Sequence, residues 1–458
     1  MRPKSEQLGT LPVGSLLTSL SLPAMGAMII MSLYNIVDTV FVGHGVGAAA
    51  IGGLGIVFPM QMLFIAIGFF FGFGGASLYS RALGAGRTDE ARRALGNTIA
   101  GAAITGFALF LIMLIFRDPI LTLFGARESM LARYAREYYD IIIFGIPFLS
   151  VTVAGNNIIR AAGHARTAML TMLISALMNT VLDPVFIFGF KLGVGGAAWA
   201  TIIAQALTMV WILGYFRSRH AETRLTWSCL HFRLPVLREI MAVGAASLAR
   251  QAAQSVYLAV FNNLFLHHGG AVAVTAFGTI FRPLSLAIMP LFGIAQALQP
   301  IAGYNYGAGK IPRVKESFRL AWRAGTVYAI AAATLFLLFP EPFLRMFIKE
   351  ADLLQDPKLL IYGKDGIRAL MVLFPLAGYQ IMAGGLFQAV GRAVPALITS
   401  ISRQLIFLLP LGLILPRLWG FTGVLLAFPA AELLGLVLSL FLVRSEMRLL
   451  DRAGTRPA

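Results

Sequence analysis

The sequence contains few charged residues for its length. Of 458 residues, 12% are Asp, Glu, Lys or Arg, whereas soluble domains carry about 25%. Too few charges are present to cover a water-facing surface, which excludes an ordinary soluble protein. Hydrophobic residues make up 58% of the chain, and the mean hydropathy is +0.80. These values indicate a protein whose solvent is the lipid bilayer.

Other common sequence features are also missing. Cys229 is the single cysteine, so no intramolecular disulfide can form, and we interpret it as a free thiol without a role. The first apolar stretch, residues 13–43, is too long for a signal-peptide core and lacks a convincing cleavage site, so we expect a retained helix. A P-loop is absent, which argues against direct coupling to ATP within this chain.

Acidic residues are outnumbered by basic ones, 20 to 37, which gives a formal charge of +17. The basic residues lie in short loops between apolar runs, which indicates membrane topology and not nucleic-acid binding. They concentrate after every second apolar segment and at the termini, so we expect both termini in the cytoplasm of a bacterial inner membrane. Hydropathy predicts twelve membrane helices, approximately at 14–43, 51–80, 92–116, 132–160, 165–190, 193–216, 236–267, 271–304, 318–340, 363–391, 394–416 and 419–444.

The chain also repeats itself, with matching motifs in the same order in both halves. The separations all lie between 223 and 228 residues. The matches are Gly-Ala-Gly-Arg at 84–87 with Gly-Ala-Gly-Lys at 307–310, residues 160–165 with 388–393, residues 193–196 with 420–423, and Gly45 and Pro59 with Gly269 and Pro283. Because each half has six helices, both halves enter the membrane in the same orientation, as in transporters built from parallel repeats.

The repeat predicts the fold class. We expect an all-α membrane protein with twelve transmembrane helices in two six-helix, pseudo-symmetric lobes around a central cleft. The N-terminal lobe would cover residues 1–222, a cytoplasmic linker 223–235, and the C-terminal lobe 236–458. Two such lobes can rock and expose the cleft to each side in turn, although a duplicated bundle need not move.

Two acidic residues lie inside predicted helices. Asp38 is late in the first helix and Asp183 is in the fifth, where a carboxylate costs at least ~2.5 kcal/mol. Such residues usually face a cavity and mark an ion path, although helix–helix hydrogen bonds could also satisfy them. Asn179 shares a helical face with Asp183, and Thr201 in the sixth helix could add a hydroxyl. Pro184 frees a backbone carbonyl near Val181.

An oxygen-only ligand set favours Na⁺ or H⁺ over zinc or copper, and no other cofactor is predicted. Two nearby carboxylates cannot both stay ionised at low cost, which also suits a proton carrier. The second half lacks the pair, because the repeat aligns Asp38 with Asn262 and Asp183 with Pro410. The sequence therefore predicts one cation site, in the N-terminal lobe.

The remaining ionisable residues near apolar segments are less informative. Arg250 and Arg403 fall near predicted cytoplasmic helix ends, where snorkelling of the side chain to the interface is the favoured interpretation. Arg282 is either an ion-pair partner or a residue of the cleft. Glu432 is the fourth ionisable residue near an apolar segment.

These motifs together resemble the multidrug and toxic compound extrusion (MATE) family of the MOP flippase superfamily. The resemblance spans nearly the whole chain and rests on Pro23 with residues 38–43, on residues 84–87, on residues 179–184, and on residues 193–201. It implies a twelve-helix antiporter, not an enzyme, that exports cationic or amphipathic drugs in exchange for Na⁺ or H⁺ and works as a monomer. It also implies a cation site at Asp38, Asn179, Asp183 and Thr201, with Tyr34 and Asn157 in the surrounding network.

Another subgroup of that family couples through acidic residues in the C-terminal lobe. The matching positions here are Gln254 and, approximately, Ala377, so the resemblance does not extend to coupling of that kind. Met and aromatic side chains suit an adaptable substrate cleft. The candidates to line it include Met31, Met178, Gln254, Tyr257 and Phe281, although each could instead pack between helices.

Two alternatives remain from the sequence. A lipid-linked oligosaccharide flippase of the same superfamily would need cationic residues in the cleft, for which Arg250, Arg282 and Arg403 are the candidates. An intramembrane aspartyl protease could use two carboxylates as acid and base, but its motif is absent and the repeat would have no role in it.

Overall fold

The computed structural model describes residues 4–124, 130–346 and 356–454, and nearly all of them are helical. No strand occurs among the residues so described. This follows from the composition, because an apolar segment inside a bilayer must satisfy its backbone hydrogen bonds internally, and a helix does so within one segment.

The described residues form twelve long helices. Two apolar helical stretches are too long for one crossing: residues 234–307 would measure about 110 Å as one straight helix, and 393–452 about 90 Å. Each changes direction at a glycine with a non-helical backbone, Gly270 (φ 71°) and Gly420 (φ 55°). The helices are α1 Val13–Gly45, α2 Ala48–Gly84, α3 Thr88–Ile115, α4 Met130–Ala161, α5 Ala165–Gly189, α6 Gly193–Arg217, α7 234–269, α8 271–307, α9 Ile311–Leu338, α10 Lys358–Met371 with Phe374–Ala389, α11 393–419 and α12 421–454.

The predicted number and order of helices are confirmed, with differences at some boundaries. Helix α9 begins at Ile311 and not at 318, and α10 begins at Lys358 and not at 363. Both first turns carry charged residues, which hydropathy excludes although the helical backbone continues through them. Helix α10 also bends by 49° between Met371 and Phe374. Short helices at Lys4–Leu8, Arg117–Leu123, Trp227–Cys229 and Pro340–Arg345 lie outside the long ones.

The backbone supports the repeat found in the sequence. Gly86, after α2, has φ 70°, and Gly309, after α8, has φ 69°. Gly163, after α4, has φ 85°, and Gly391, after α10, has φ 78°. Since only glycine adopts this left-handed region readily, the matching glycines impose the same turn at the same place in each half.

Contacts divide the chain into two compact units. The segment before Leu11 and residues Gly26–Leu248 form the N-terminal unit, whereas Leu11–Met25 and the chain from Ala249 form the C-terminal unit. The first parts of α1 and α7 are thus exchanged between units, and the two exchange points, after Met25 and Leu248, are 223 residues apart. The lobe boundary at 223–235 stays a prediction about the repeat.

Each unit has its own apolar core. In the N-terminal unit, buried side chains such as Phe64 and Tyr139 fill the space between α2, α4 and α6. In the C-terminal unit, Phe265 and Phe277 lie at the centre of a cluster of aromatic rings. These cores fix the helices on which the functional side chains lie.

Candidate functional site

Three helices of the N-terminal unit bring the predicted cation ligands together. Asp38 comes from α1, Asn179 and Asp183 from α5, and Thr201 from α6. The Asn179 amide nitrogen donates hydrogen bonds to the Thr201 hydroxyl (3.1 Å) and to Asp183 Oδ1 (3.4 Å). The Thr201 hydroxyl in turn donates to the Ala197 carbonyl oxygen (3.0 Å). Asn179 and Asp183 can both point to one place because they are one helical turn apart.

The side chains of Asp38 and Asp183 lie within hydrogen-bonding reach of each other. Two ionised carboxylates in contact inside a membrane would repel strongly, because no water screens them. A proton or a cation between the two groups would relieve this repulsion. The pair is therefore a candidate site for a positive charge.

Three oxygen atoms at this site are buried without a hydrogen-bond partner among the described residues. They are Asp38 Oδ1, Asn179 Oδ1 and Asp183 Oδ2. Asn179, Asp183 and Thr201 are at most 5% exposed. A buried polar atom without a partner costs about 1–3 kcal/mol, and more when it carries charge. Three such atoms in one cluster fit a hard cation, whose ligands are carboxylate and amide oxygens.

The backbone of α5 changes just after the acidic residue. Pro184 lacks an N–H group and ends the regular α-helix, and a π-helical turn follows at Val185–Gly189. Single π-helical turns are frequent at functional sites, because the wider turn redirects side chains and frees backbone groups. Asp183 is thus held at the last regular turn of its helix.

Asn157, which the sequence places in the network around the site, forms a buried polar pair within α4, and its link to the cation ligands stays a prediction. Asn157, which is 2% exposed, accepts a hydrogen bond from Arg160 Nη2 (2.9 Å) through its side-chain oxygen. Arg160 itself is buried. Its spacing of three residues from Asn157 on one helix was the signal that could have found it. The side chain of Tyr34 lies outside the described part of the structure.

The predicted substrate-lining residues are divided between the units. Met31 and Met178, in the N-terminal unit, are partly buried. In the C-terminal unit, Gln254 is exposed, Phe281 is partly buried, and Tyr257 is buried with its ring 6.2 Å from that of Phe261. A substrate-lining role for these residues stays a prediction.

The structure pairs Arg403 with an acidic residue, a contact that the sequence analysis did not predict. Its Nη1 pairs with Glu432 Oε1 at 2.6 Å, and Gln380 donates to Glu432 Oε2 at 2.7 Å. Arg403 is ten residues into α11, about 15 Å from the start of the helix, and snorkelling of Arg403 and Arg250 stays a prediction. Arg250 lies over the ring of Phe292, 5.4 Å from its centroid. The side chain of Arg282 is outside the described set.

Comparison with known families places the chain in one of them. The model of the MatE family matches residues 23–185 and 246–414, one segment in each half of the repeat. Among similar proteins is the multidrug export protein MepA of Staphylococcus haemolyticus, 27% identical over 447 residues that cover 96% of each chain. MepA of Staphylococcus aureus (strain MSSA476) is 25% identical over 440 residues, 95% of each chain.

Solved structures agree with this match. A crystal structure of MATE in complex with MaL6 has a TM-score of 0.91 and 25% identity, and covers 99% of this chain and 100% of its own. A MOP superfamily transporter from Pyrococcus furiosus has a TM-score of 0.92 at 24% identity, with 98% and 99% coverage, and shows likeness of fold alone. The arrangement of twelve helices in two lobes is therefore shared.

Proposed function

The chain belongs to the MatE family and is a multi-pass membrane transporter, not an enzyme, and we propose that it is a secondary antiporter that exports drugs. In this proposal, cationic or amphipathic compounds leave the cell in exchange for Na⁺ or H⁺. The similar proteins that carry the name multidrug export protein support the drug as cargo. The buried oxygens of the N-terminal unit support the cation as the driving ion.

The cluster of Asp38, Asn179 and Asp183 is the observation that carries the proposal. Its three oxygens without partners are costly to the protein unless something positive binds there. A structural role would use hydrogen bonds between helices to satisfy these atoms, as the amide nitrogen of Asn179 does for Thr201. Since the oxygens stay unsatisfied, a removable cation explains them better than a fixed contact.

The proposed cycle needs two states that bind the cation with different affinity. A ligand shifts such an equilibrium only by the difference between its affinities for the two states. Asp38 lies on α1, which changes from one unit to the other after Met25, whereas Asp183 lies within the N-terminal unit. Binding of Na⁺ or H⁺ between them would therefore stabilise one position of α1. Rocking of the two halves of the repeat would then expose the substrate to the opposite side.

Asparagine variants test the site. Asp38→Asn and Asp183→Asn each keep the shape of the side chain but remove its charge, so we expect gradient-driven export to fall to background. The measurement is efflux of ethidium from proteoliposomes of the full chain, with imposed Na⁺ and pH gradients in separate experiments. The gradient that drives the wild type identifies the coupling ion.

Asp89→Asn is the matched control for these variants. Asp89 is a carboxylate of the N-terminal unit that is exposed at the start of α3, where it pairs with Arg92 at 3.4 Å. We expect this variant to export ethidium as the wild type does. Full export by both site variants would remove the proposed site. The absence of export by the well-folded wild type under either gradient would contradict the proposed function.

A further inference from the structure

A cavity of 420 Å³ lies within the C-terminal unit, where α9 begins and α12 ends. Four basic side chains line it, two from α9 and two from α12. Aromatic side chains from α9 and α10 form its inner wall. The lining includes Lys315, Arg319, Arg444, Arg448, Trp322 and Tyr379.

The positive charge of this cavity is mostly unbalanced. Lys315 pairs with Asp451. Arg319, Arg444 and Arg448 are exposed, and none forms an ion pair with a carboxylate in the part of the chain that the structure describes. Guanidinium groups bind phosphate and carboxylate groups through paired hydrogen bonds. The positive charge of these three guanidinium groups thus favours an anionic ligand.

The lining changes with depth along the helices. Lys315 is four residues into α9, about 6 Å from its start, whereas Trp322 is about 16 Å from it. The ring of Tyr379 lies 5.8 Å from that of Trp322 and 5.6 Å from that of Phe318, the residue before Arg319, both edge-on. Basic groups beside aromatic rings, with Trp322 the deepest lining residue on α9, fit a ligand with an anionic head and an apolar tail. An inorganic anion would use only the basic groups.

The repeat shows that this cavity is not a general property of the fold. With the separation of 223 residues, Arg319 corresponds to Gly96 and Leu320 to Asn97. In the N-terminal unit a side-chain carbon on Gly96 would lie 2.0 Å from the Cys229 carbonyl oxygen. The segment around Cys229 therefore fills this groove.

The polar partner of that segment is also missing from the C-terminal unit. In the N-terminal unit, the Asn97 amide nitrogen donates to the carbonyl oxygens of Cys229 (3.4 Å) and His231 (3.3 Å), and Asn97 Oδ1 accepts from the Arg233 backbone (3.1 Å). Leu320 can make none of these bonds. One unit thus closes its groove with its own chain, and the other keeps a basic cavity.

We infer that the cavity binds the headgroup of an anionic phospholipid. The phosphodiester would lie among Arg319, Arg444 and Arg448, and the acyl chains would follow Trp322 towards the bilayer interior. Basic pockets between membrane helices on the cytoplasmic side recognise such headgroups, and the charge distribution predicts that this end faces the cytoplasm. The inference does not depend on the proposed export function.

Native mass spectrometry of the full-length protein tests this inference. The probes are phosphatidylglycerol and phosphatidylcholine with identical acyl chains, added in equal amounts in detergent. We expect the wild type to retain phosphatidylglycerol about tenfold better, the size of effect expected for charge-assisted hydrogen bonds. The double variant Arg319→Gln with Arg448→Gln should lose this preference. The double variant Arg92→Gln with Arg217→Gln removes the same charge from basic positions of the N-terminal unit and should keep it.

A second measurement reports contact directly. Phosphatidylglycerol with brominated acyl chains should quench tryptophan fluorescence of the wild type more than that of Trp322→Phe. Equal retention of both lipids, or equal loss in both double variants, would overturn the inference. Binding of inorganic phosphate alone, with the same dependence on Arg319 and Arg448 and with displacement of the lipid, would identify a free anion and overturn the lipid assignment.

Discussion

The two units place opposite chemistry at equivalent positions. In the N-terminal unit Thr201 closes a cluster of buried oxygens, whereas the repeat aligns it with Phe428 in the C-terminal unit. The Phe428 ring lies 4.9 Å from that of Phe261 and stacks on Phe277 at 6.2 Å. One scaffold thus holds a polar site in one half and an apolar core in the other. On the proposed function, coupling would reside in the N-terminal unit, and we expect the aromatic core of the C-terminal unit to contribute stability instead.

The largest expected effect comes from truncating each of these two side chains to alanine. Phe428→Ala should lower the free energy of unfolding by about 3–5 kcal/mol, because it removes a buried aromatic side chain and leaves a cavity. Thr201→Ala should cost about 1 kcal/mol, the value of one hydrogen bond. Thermal unfolding of the purified variants with and without Na⁺ measures both effects.

The cation should distinguish the two variants further. Binding of an ion to the folded protein alone raises its stability with concentration, so wild type and Phe428→Ala should both gain stability from the coupling ion. Thr201→Ala should gain less at the same concentration. An equal loss of stabilisation by the ion in both variants would contradict the division of roles between the units.

The sequence predicted the number of helices and the proximity of the polar side chains of α1, α5 and α6 for related reasons. Apolar runs reveal membrane helices, and a carboxylate such as Asp38 or Asp183 stands out within them because it is costly there. The pairing of Arg403 with Glu432 was not predictable in the same way. The two residues lie on different helices, and a π-helical turn at Ser402–Leu408 changes the rotation of α11. Contacts between helices that depend on helix rotation do not follow from the apolar pattern of the sequence.

The grooves of the two units are a second contrast that the sequence did not reveal. Packing of the segment around Cys229 against Gly96 is tertiary, and neither residue carries a motif for it. The same applies to the short helix Lys4–Leu8, which docks on the N-terminal unit. There the backbone N–H and the hydroxyl of Ser5 donate to the Glu222 carboxylate at 3.1 and 3.0 Å.

Glu222 provides the next largest expected effect. Burial would raise the pKa of this carboxyl, but hydrogen bonds from His164 and Ser5 outweigh it and lower the pKa below its usual value of 4.5. Glu222→Gln should therefore weaken docking of the helix Lys4–Leu8 by about 1.5–3 kcal/mol, the range for hydrogen bonds to a charged group. Hydrogen exchange of the Lys4–Leu8 backbone measures this loss.

The pH dependence follows from the direction of the shift. Because the pKa of Glu222 is lower in the folded protein, its contribution is present above the unfolded value of 4.5 and is lost as pH falls through the folded value. Protection of the helix Lys4–Leu8 should therefore fall in acid in the wild type and stay constant in Glu222→Gln. Exchange that is insensitive to both pH and the substitution would show that Glu222 does not hold this helix.

The smallest expected effect is the difference in stability between variants in the grooves of the two units. Gly96→Ala places a methyl carbon only 2.0 Å from the Cys229 carbonyl oxygen. Overpacking of this kind costs about 1–3 kcal/mol. The higher helix propensity of alanine returns about 1 kcal/mol, so a net loss near 1 kcal/mol is expected from thermal unfolding. Arg319→Ala, at the equivalent position beside an open cavity, should change stability by less than about 0.5 kcal/mol, as surface substitutions do. If both variants lost the same stability, the groove of the C-terminal unit would have to be as tightly filled as that of the N-terminal unit, and the contrast between them would fail.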